Sequence, residues 1–160
     1  MNAKRIYRKH EKRMQSRADQ VVDNFMDGYN CCQSFFSTYS NIYGVNRETA
    51  LKLTAGLGGG VGNSGEICGL VNAACLLLGL KHGADSPESQ SHVSPICLAF
   101  CDDFAANYGS VHCRDIIKRN IRTAEEMLKA KEDGVFTKIC EGCSRFAAEL
   151  LEKKYGILDE

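Results

Sequence analysis

Residues 56–80, GLGGGVGNSGEICGLVNAACLLLGL, decide how this chain folds. Seven of its fifteen glycines (Gly56, Gly58, Gly59, Gly60, Gly62, Gly65, Gly69) crowd ahead of a long apolar run that carries Cys68 and Cys75. Glycine at this density marks a loop where other backbone or a ligand comes close. The apolar run is hydrophobic almost all round, which is the mark of a buried helix that other elements wrap. Ser64 followed by Glu66 reads as a cap and first turn, predicting a helix over about 65–81. Cys68 then sits near a helix N-terminus, where free N–H groups and the positive dipole end favour a thiolate. The same pattern also fits a tight turn before a core helix.

Outward from that stretch every other segment reads as helix. Toward the N-terminus, Val21, Val22, Phe25 and Met26 end a helical stripe over about 3–26, stopped near Gly28. CCQSFFSTYSNIYG then carries Phe35, Phe36, Tyr39, Ile42 and Tyr43 at helical spacing, with Tyr29 or Asn30 as cap and Gly44 as stop. Neighbouring helical residues point about 100° apart, so at most one of Cys31 and Cys32 faces a given site. Asn46 caps RETALKLT, with Leu51, Leu53 and Leu57 apolar. Toward the C-terminus, residues 82–94 are the most polar stretch and read as a connection. Ser94-Pro95 signals a helix start and Gly109 its end, with Cys97 and Cys101 on the core stripe. A short helix begins at Cys113, Thr123 and Glu126 form a capping box, and a last helix runs over about 137–155 with Cys140 and Cys143 in its first turns. No strand pattern, internal repeat or second domain is evident. The expected fold is all-α: a single domain, residues 1–160, of six to eight helices around the buried central one. The basic segment 1–23 is read as a peripheral helix with a solvated charged face.

Composition narrows the function classes. Twenty Lys and Arg balance twenty Asp and Glu, so no overall field favours nucleic acid or an anionic membrane. No signal-peptide pattern or bilayer-length apolar run is present, so the expected location is cytoplasmic. Nine cysteines in a reducing compartment point to metal binding or thiol chemistry rather than a disulfide framework. The apolar helices leave a homodimer open.

Motifs exclude several chemistries. Gly60-Val-Gly62-Asn-Ser-Gly65 has dinucleotide-motif spacing but no βαβ context, and no Walker lysine follows. Cys140-Glu-Gly-Cys143 lacks the histidine of covalent haem attachment, and neither a thioredoxin context nor a zinc-knuckle pairing surrounds it. His10, His82, His92 and His112 show no mutual spacing that makes a site. No general acid/base pair or substrate pocket is assignable, which leaves enzymatic activity unassigned. By contrast, Cys31, Cys68, Cys113 and Cys140 each fall near a predicted helix start. Four such starts converging would stabilise thiolates for iron–sulfur or zinc ligation, or activate them for redox exchange.

These residues also carry a resemblance. Gly-Tyr-Asn-Cys31 with Gln33, the loop GLGGGVGNSGEICG, the helix ending Leu-Gly79-Leu, Tyr-Gly-Ser-Val-His-Cys113-Arg and Gly-Val-Phe-Thr-Lys-Ile-Cys140 resemble the small cysteine-containing proteins named C_GCAxxG_C_C, described as redox-active. The resemblance spans roughly residues 24–155 and carries that family's four cysteines onto Cys31, Cys68, Cys113 and Cys140. It departs where Cys68-Gly69 is followed by Leu70 in place of alanine, and where Ala73 stands for a glycine. The leading expectation is electron transfer through an iron–sulfur cluster held by those four cysteines, with Gly59, Gly60, Gly62, Gly65 and Gly69 supplying backbone donors, and with a redox protein as partner. Alternatives are thiol–disulfide exchange in which Cys68 attacks, and a zinc-stabilised helical interaction domain without catalysis.

Overall fold

The computed structural model describes residues 15–160, so the basic segment before Gln15 lies outside the described residues. Eight α-helices follow in order: α1 (Arg17–Met26), α2 (Cys31–Tyr39), α3 (Arg47–Thr54), α4 (Gly69–His82), α5 (Ser89–Tyr108), α6 (Cys113–Ile117), α7 (Ala124–Glu132) and α8 (Glu141–Lys153). A 3-10 turn (Ser40–Tyr43) extends α2, and a π turn (Phe136–Cys140) leads into α8. Among the described residues there is no strand, and a single isolated antiparallel bridge joins Ile67 to His112. The fold is all-α, as the periodicity predicts.

Caps explain most of the boundaries. The side chains of Ser16, Asn30, Asn46 and Thr123 each accept from the backbone N–H three residues on, and Asn30–Gln33 and Thr123–Glu126 form complete capping boxes. The stripe read through residues 3–26 therefore starts as α1 only at Arg17 within the described residues.

α4 lies at the centre. Its Leu70, Val71, Ala73, Ala74, Leu77 and Leu78 are all buried, and it packs on α2, α5 and α8. Facing residues include Phe35, Tyr39, Phe100, Phe104, Ala147 and Leu151. α1 packs on α2 and α8 through Ala18, Val21 and Val22, and Arg145 pairs with Asp19 at 2.7 Å. A smaller core of Cys113, Ile117, Ile121, Ala130 and Val135 joins α6, α7 and the π turn.

Three boundaries depart from expectation. α4 begins at Gly69, not near Gly65, with Cys68 as its N-cap residue. Residues 66–68 are extended instead, because Cys68 N–H donates to Val111 O at 2.8 Å and Cys113 N–H to Glu66 O at 2.7 Å. Ser64 does not cap a helix: its hydroxyl donates to Gly60 O. Pro95 lies inside α5, which starts six residues earlier at Ser89, so one intrahelical hydrogen bond is missing there. The last helix is broken by the π turn, which puts Cys140 at the end of that turn and not in an α-helical first turn. Leu53, expected in the apolar set of α3, is 63% exposed.

Burial sets the expected stability effects. Leu77→Ala, at a fully buried position of α4, is expected to lower unfolding free energy by about 2–5 kcal/mol, whereas Leu53→Ala should change it by no more than about 0.5 kcal/mol. Urea denaturation midpoints of the two variants check this contrast.

Candidate functional site

The bridge between residues 66–68 and 111–113 is what begins the site. It holds the loop before α4 against the loop before α6, and Arg114 adds an ion pair with Glu66 and a backbone bond to Gly65 O at 3.1 Å. Cys68, the N-cap residue of α4, and Cys113, the first residue of α6, are thereby fixed at neighbouring helix starts. Within the glycine loop, Gly62, Gly65 and Glu66 donate to the carbonyls of Gly56, Gly59 and Gly60, so the loop closes on itself. It does so at the expense of left-handed backbone at Val61 (φ 65°) and Asn63 (φ 61°), unusual for a β-branched residue above all.

Cys31 is brought in from the other side. Asn30 caps α2 and its amide donates to Ala55 O at 3.0 Å, which ties the start of α2 to the end of α3. A Cβ on Gly58 would come within 2.5 Å of the Asn30 side chain, so the loop and Asn30 are in direct contact. Gly69 matters more: a Cβ there would collide with Cys31 Sγ and stand 2.9 Å from Cys32 N. The absence of a side chain at the first position of α4 lets the Cys31 sulfur lie against that helix.

Cys31, Cys68, Cys113 and Cys140 all line one cavity of about 420 Å³, and Cys143 lines it with them. Two cores meet there. Cys31, Cys68 and Cys143 belong to the main core, while Cys113 and Cys140 belong to the small core of α6, α7 and the π turn. Much of the remaining wall is apolar, with Phe25, Leu70, Ile116, Ile121 and Phe136 among it. Leu70, which replaces the smaller residue of the related motif, is thus part of the wall. Cys32 is fully buried and absent from the lining, so only the first of the adjacent pair faces the cavity. Cys75, Cys97 and Cys101 are also absent from it. Cys97 and Cys101 are half-buried and pack against the main core, where the core stripe predicts them. No group of three or more His, Cys, Asp or Glu side chains among the described residues is placed to hold a metal ion.

The electrostatics single out Cys31. The Cys68 thiol donates to the Cys31 sulfur, and against the effect of burial the N–H groups of Gly59, Cys32 and Gly69 add further hydrogen bonds, bringing the Cys31 thiol down to about 7. Cys68 is correspondingly pushed well up, first by serving as donor to Cys31 and then by burial. This reverses the expectation that Cys68, at the helix N-terminus, is the activated thiol: Cys31 takes the donors at that helix end. Burial, with the neighbouring Cys31 and Cys143 charges, raises Cys113 to about 12, and Cys140 is raised for the same reasons. Burial raises Cys143 to about 11, although the Tyr108 hydroxyl partly offsets this. Of the five glycines expected to support the site, Gly59 and Gly69 donate to Cys31, the N–H groups of Gly62 and Gly65 are used inside the loop, and the Gly60 carbonyl accepts from Glu66 N–H and the Ser64 hydroxyl.

The model of the family described as "Putative redox-active protein (C_GCAxxG_C_C)" matches residues 29–154. The chain belongs to this family. The match begins just before Cys31 and ends beyond Cys140, so all five cavity cysteines of this C_GCAxxG_C_C protein lie within it. No curated protein and no solved structure matches the chain. No described helix is long and apolar enough to cross a membrane. Cys143 is the cavity residue that helix starts did not select. Its spacing in Cys140-Glu-Gly-Cys143, just under one turn, was the available signal.

In the reduced, metal-free chain, Cys31 is expected to alkylate with iodoacetamide along a titration centred near pH 7. A thiol whose value is lowered is a thiolate above that pH and loses reactivity as pH falls through it. Gly69→Ala, by displacing the sulfur from its donors, should move the midpoint upward. Peptide-resolved alkylation rates between pH 5 and 10 on roughly this range check both.

Proposed function

We propose that this redox protein holds an iron–sulfur cluster in the cysteine-lined cavity and uses it to pass electrons to a redox protein partner. The observation that carries the reading is that four cysteines far apart in sequence, each from a different element, line one cavity of about 420 Å³. The donor set suits soft iron–sulfur ligation, and Cys31, Cys68, Cys113 and Cys140 would be the ligands, with Cys143 beside them as a fifth thiol. An all-thiolate donor set suits iron–sulfur clusters, and structural zinc shares that preference. When bound, such a cluster supplies a one-electron couple.

The chain's own residues have definable roles in this reading. Gly59, Cys32 and Gly69 N–H groups point hydrogen bonds at the Cys31 sulfur, which would stabilise negative charge on that ligand and raise the reduction potential. Phe25, Leu70, Ile121 and Phe136 supply an apolar wall beside the thiols. Because the ligands come from both cores, binding would fasten the small α6–α7 core to the main one.

A second reading is favoured by one observation, the hydrogen bond from Cys68 to a stabilised Cys31. In it Cys31, rather than Cys68, attacks a partner disulfide and one partner sulfur leaves as a thiol. Cys68 then loses its proton and attacks the Cys31 sulfur, releasing the second partner thiol and leaving a Cys31–Cys68 disulfide, a two-electron exchange.

Iron and acid-labile sulfide are to be measured in anaerobically purified protein and in the Cys31, Cys68, Cys113 and Cys140 alanine variants, with Cys32→Ala as a control. The cluster reading expects both elements in the parent and in the control, and a marked loss in each of the four variants. Iron-free protein that forms a reversible Cys31–Cys68 disulfide overturns it in favour of thiol exchange. Stoichiometric zinc without sulfide or redox activity overturns both.

A further inference from the structure

Three cysteines outside the cavity are gathered where α5 packs on α4. Cys75 lies seven residues beyond Cys68, two helical turns or about 10 Å along the axis. Cys97 and Cys101 stand one turn apart on α5, which packs against α4. The spacing places both α5 thiols on one face, and that face meets Cys75. The Cys97 thiol donates to Cys75 O at 3.9 Å, and the Cys75 thiol is within hydrogen-bonding reach of both the Cys97 and Cys101 sulfurs. All three side chains are half-buried, so reagents in solvent have access to them.

We propose that Cys75 forms an intramolecular disulfide with Cys97 or Cys101, giving the protein a second, solvent-accessible dithiol couple on the α4–α5 face. The oxidant is a low-molecular-weight disulfide. The α5 thiolate attacks one of its sulfurs, forming a mixed disulfide and releasing a thiolate that takes up a proton. Cys75 loses its proton, attacks the α5 cysteine sulfur and releases the second small thiol. One external disulfide is reduced to two thiols, and two protein thiols are oxidised to one disulfide. Thiols already within hydrogen-bonding reach on two packed helices need side-chain rotation and a small closing of the helices to reach bonding distance. Hydrogen bonding agrees with this order of attack: Cys75 donates to the Cys101 sulfur, which favours the Cys101 thiolate against the burial that raises it. The bond would close a covalent ring over residues 75–97 or 75–101, which contains the connection between α4 and α5. None of the three thiols lines the cavity, so the proposal stands independently of the cofactor reading.

The test treats the reduced, folded full-length chain with glutathione disulfide, traps the remaining thiols with iodoacetamide and maps tryptic peptides by tandem mass spectrometry. The expected product links peptide Leu53–Lys81 to peptide His82–Arg114, with fragment ions placing the bond at Cys75 and at Cys97 or Cys101. Cys68 and Cys113 occur in the same two peptides, so variants decide the assignment. Cys75→Ser, and the double variant Cys97→Ser with Cys101→Ser, should each abolish the linked product, while either α5 single variant retains it. Oxidation should also raise the melting temperature of the parent and not of Cys75→Ser. A linked product that persists in Cys75→Ser overturns the proposal. So does a folded chain, judged by its helical circular dichroism, whose three thiols are only alkylated or singly capped by glutathione.

Discussion

The close approach of α2 and α4 at Gly69 is the constraint on which the rest of the site depends. Only a residue without a side chain at the first position of α4 leaves room for the Cys31 sulfur and the Cys32 amide. That vacancy places Cys31 among the N–H groups of Gly59, Cys32 and Gly69 and within reach of the Cys68 thiol. A helix N-terminus carries unsatisfied donors and a positive dipole end, yet it serves whichever acceptor fits closest. Here the closest acceptor comes from a different helix. The result is an asymmetric pair in which one cysteine collects the stabilisation and the other supplies a proton.

A second constraint joins two cores across the cavity. The main core is built on α4, and the smaller one on α6, α7 and the π turn. What couples them at the site is the short extended pairing of residues 66–68 with 111–113 and the Glu66–Arg114 ion pair. Ordinary close packing would fill such a seam with side chains. Here it is a cavity walled by five cysteines and a largely apolar set of neighbours. A seam of this kind is where a bound group contributes to the fold and to redox chemistry at once. The π turn ending at Cys140 belongs to the same pattern, since π turns shift the helical register and so re-aim a side chain.

The cysteines divide by environment as well as by number. Five face the cavity, Cys32 packs in the main core, and Cys75, Cys97 and Cys101 form a half-exposed group between α4 and α5. Helical spacing alone assigns Cys97 and Cys101 to a core stripe, because residues one turn apart share a face whatever that face meets. How deeply the face is covered depends on the tilt and length of its neighbour. The half-exposed position of that stripe comes from how α5 lies on α4.

Sequence by itself determined the helical class, the central helix and most helix ends, because caps at Asn30, Asn46 and Thr123 and apolar periodicity are local signals whose physics acts within a turn or two. It also selected Cys31, Cys68, Cys113 and Cys140, through helix starts and a family resemblance. Tertiary structure decided the rest. The start of α4 moved from Gly65 to Gly69 because residues 66–68 pair with a segment more than forty positions away. Pro95 stayed inside α5 because packing on α4 outweighed the loss of one hydrogen bond. Cys143 joined the cavity, and Cys31 displaced Cys68 as the stabilised thiol, for one reason: hydrogen-bond donors and burial at a sulfur are set by which chain segments meet there, and local sequence does not encode that meeting.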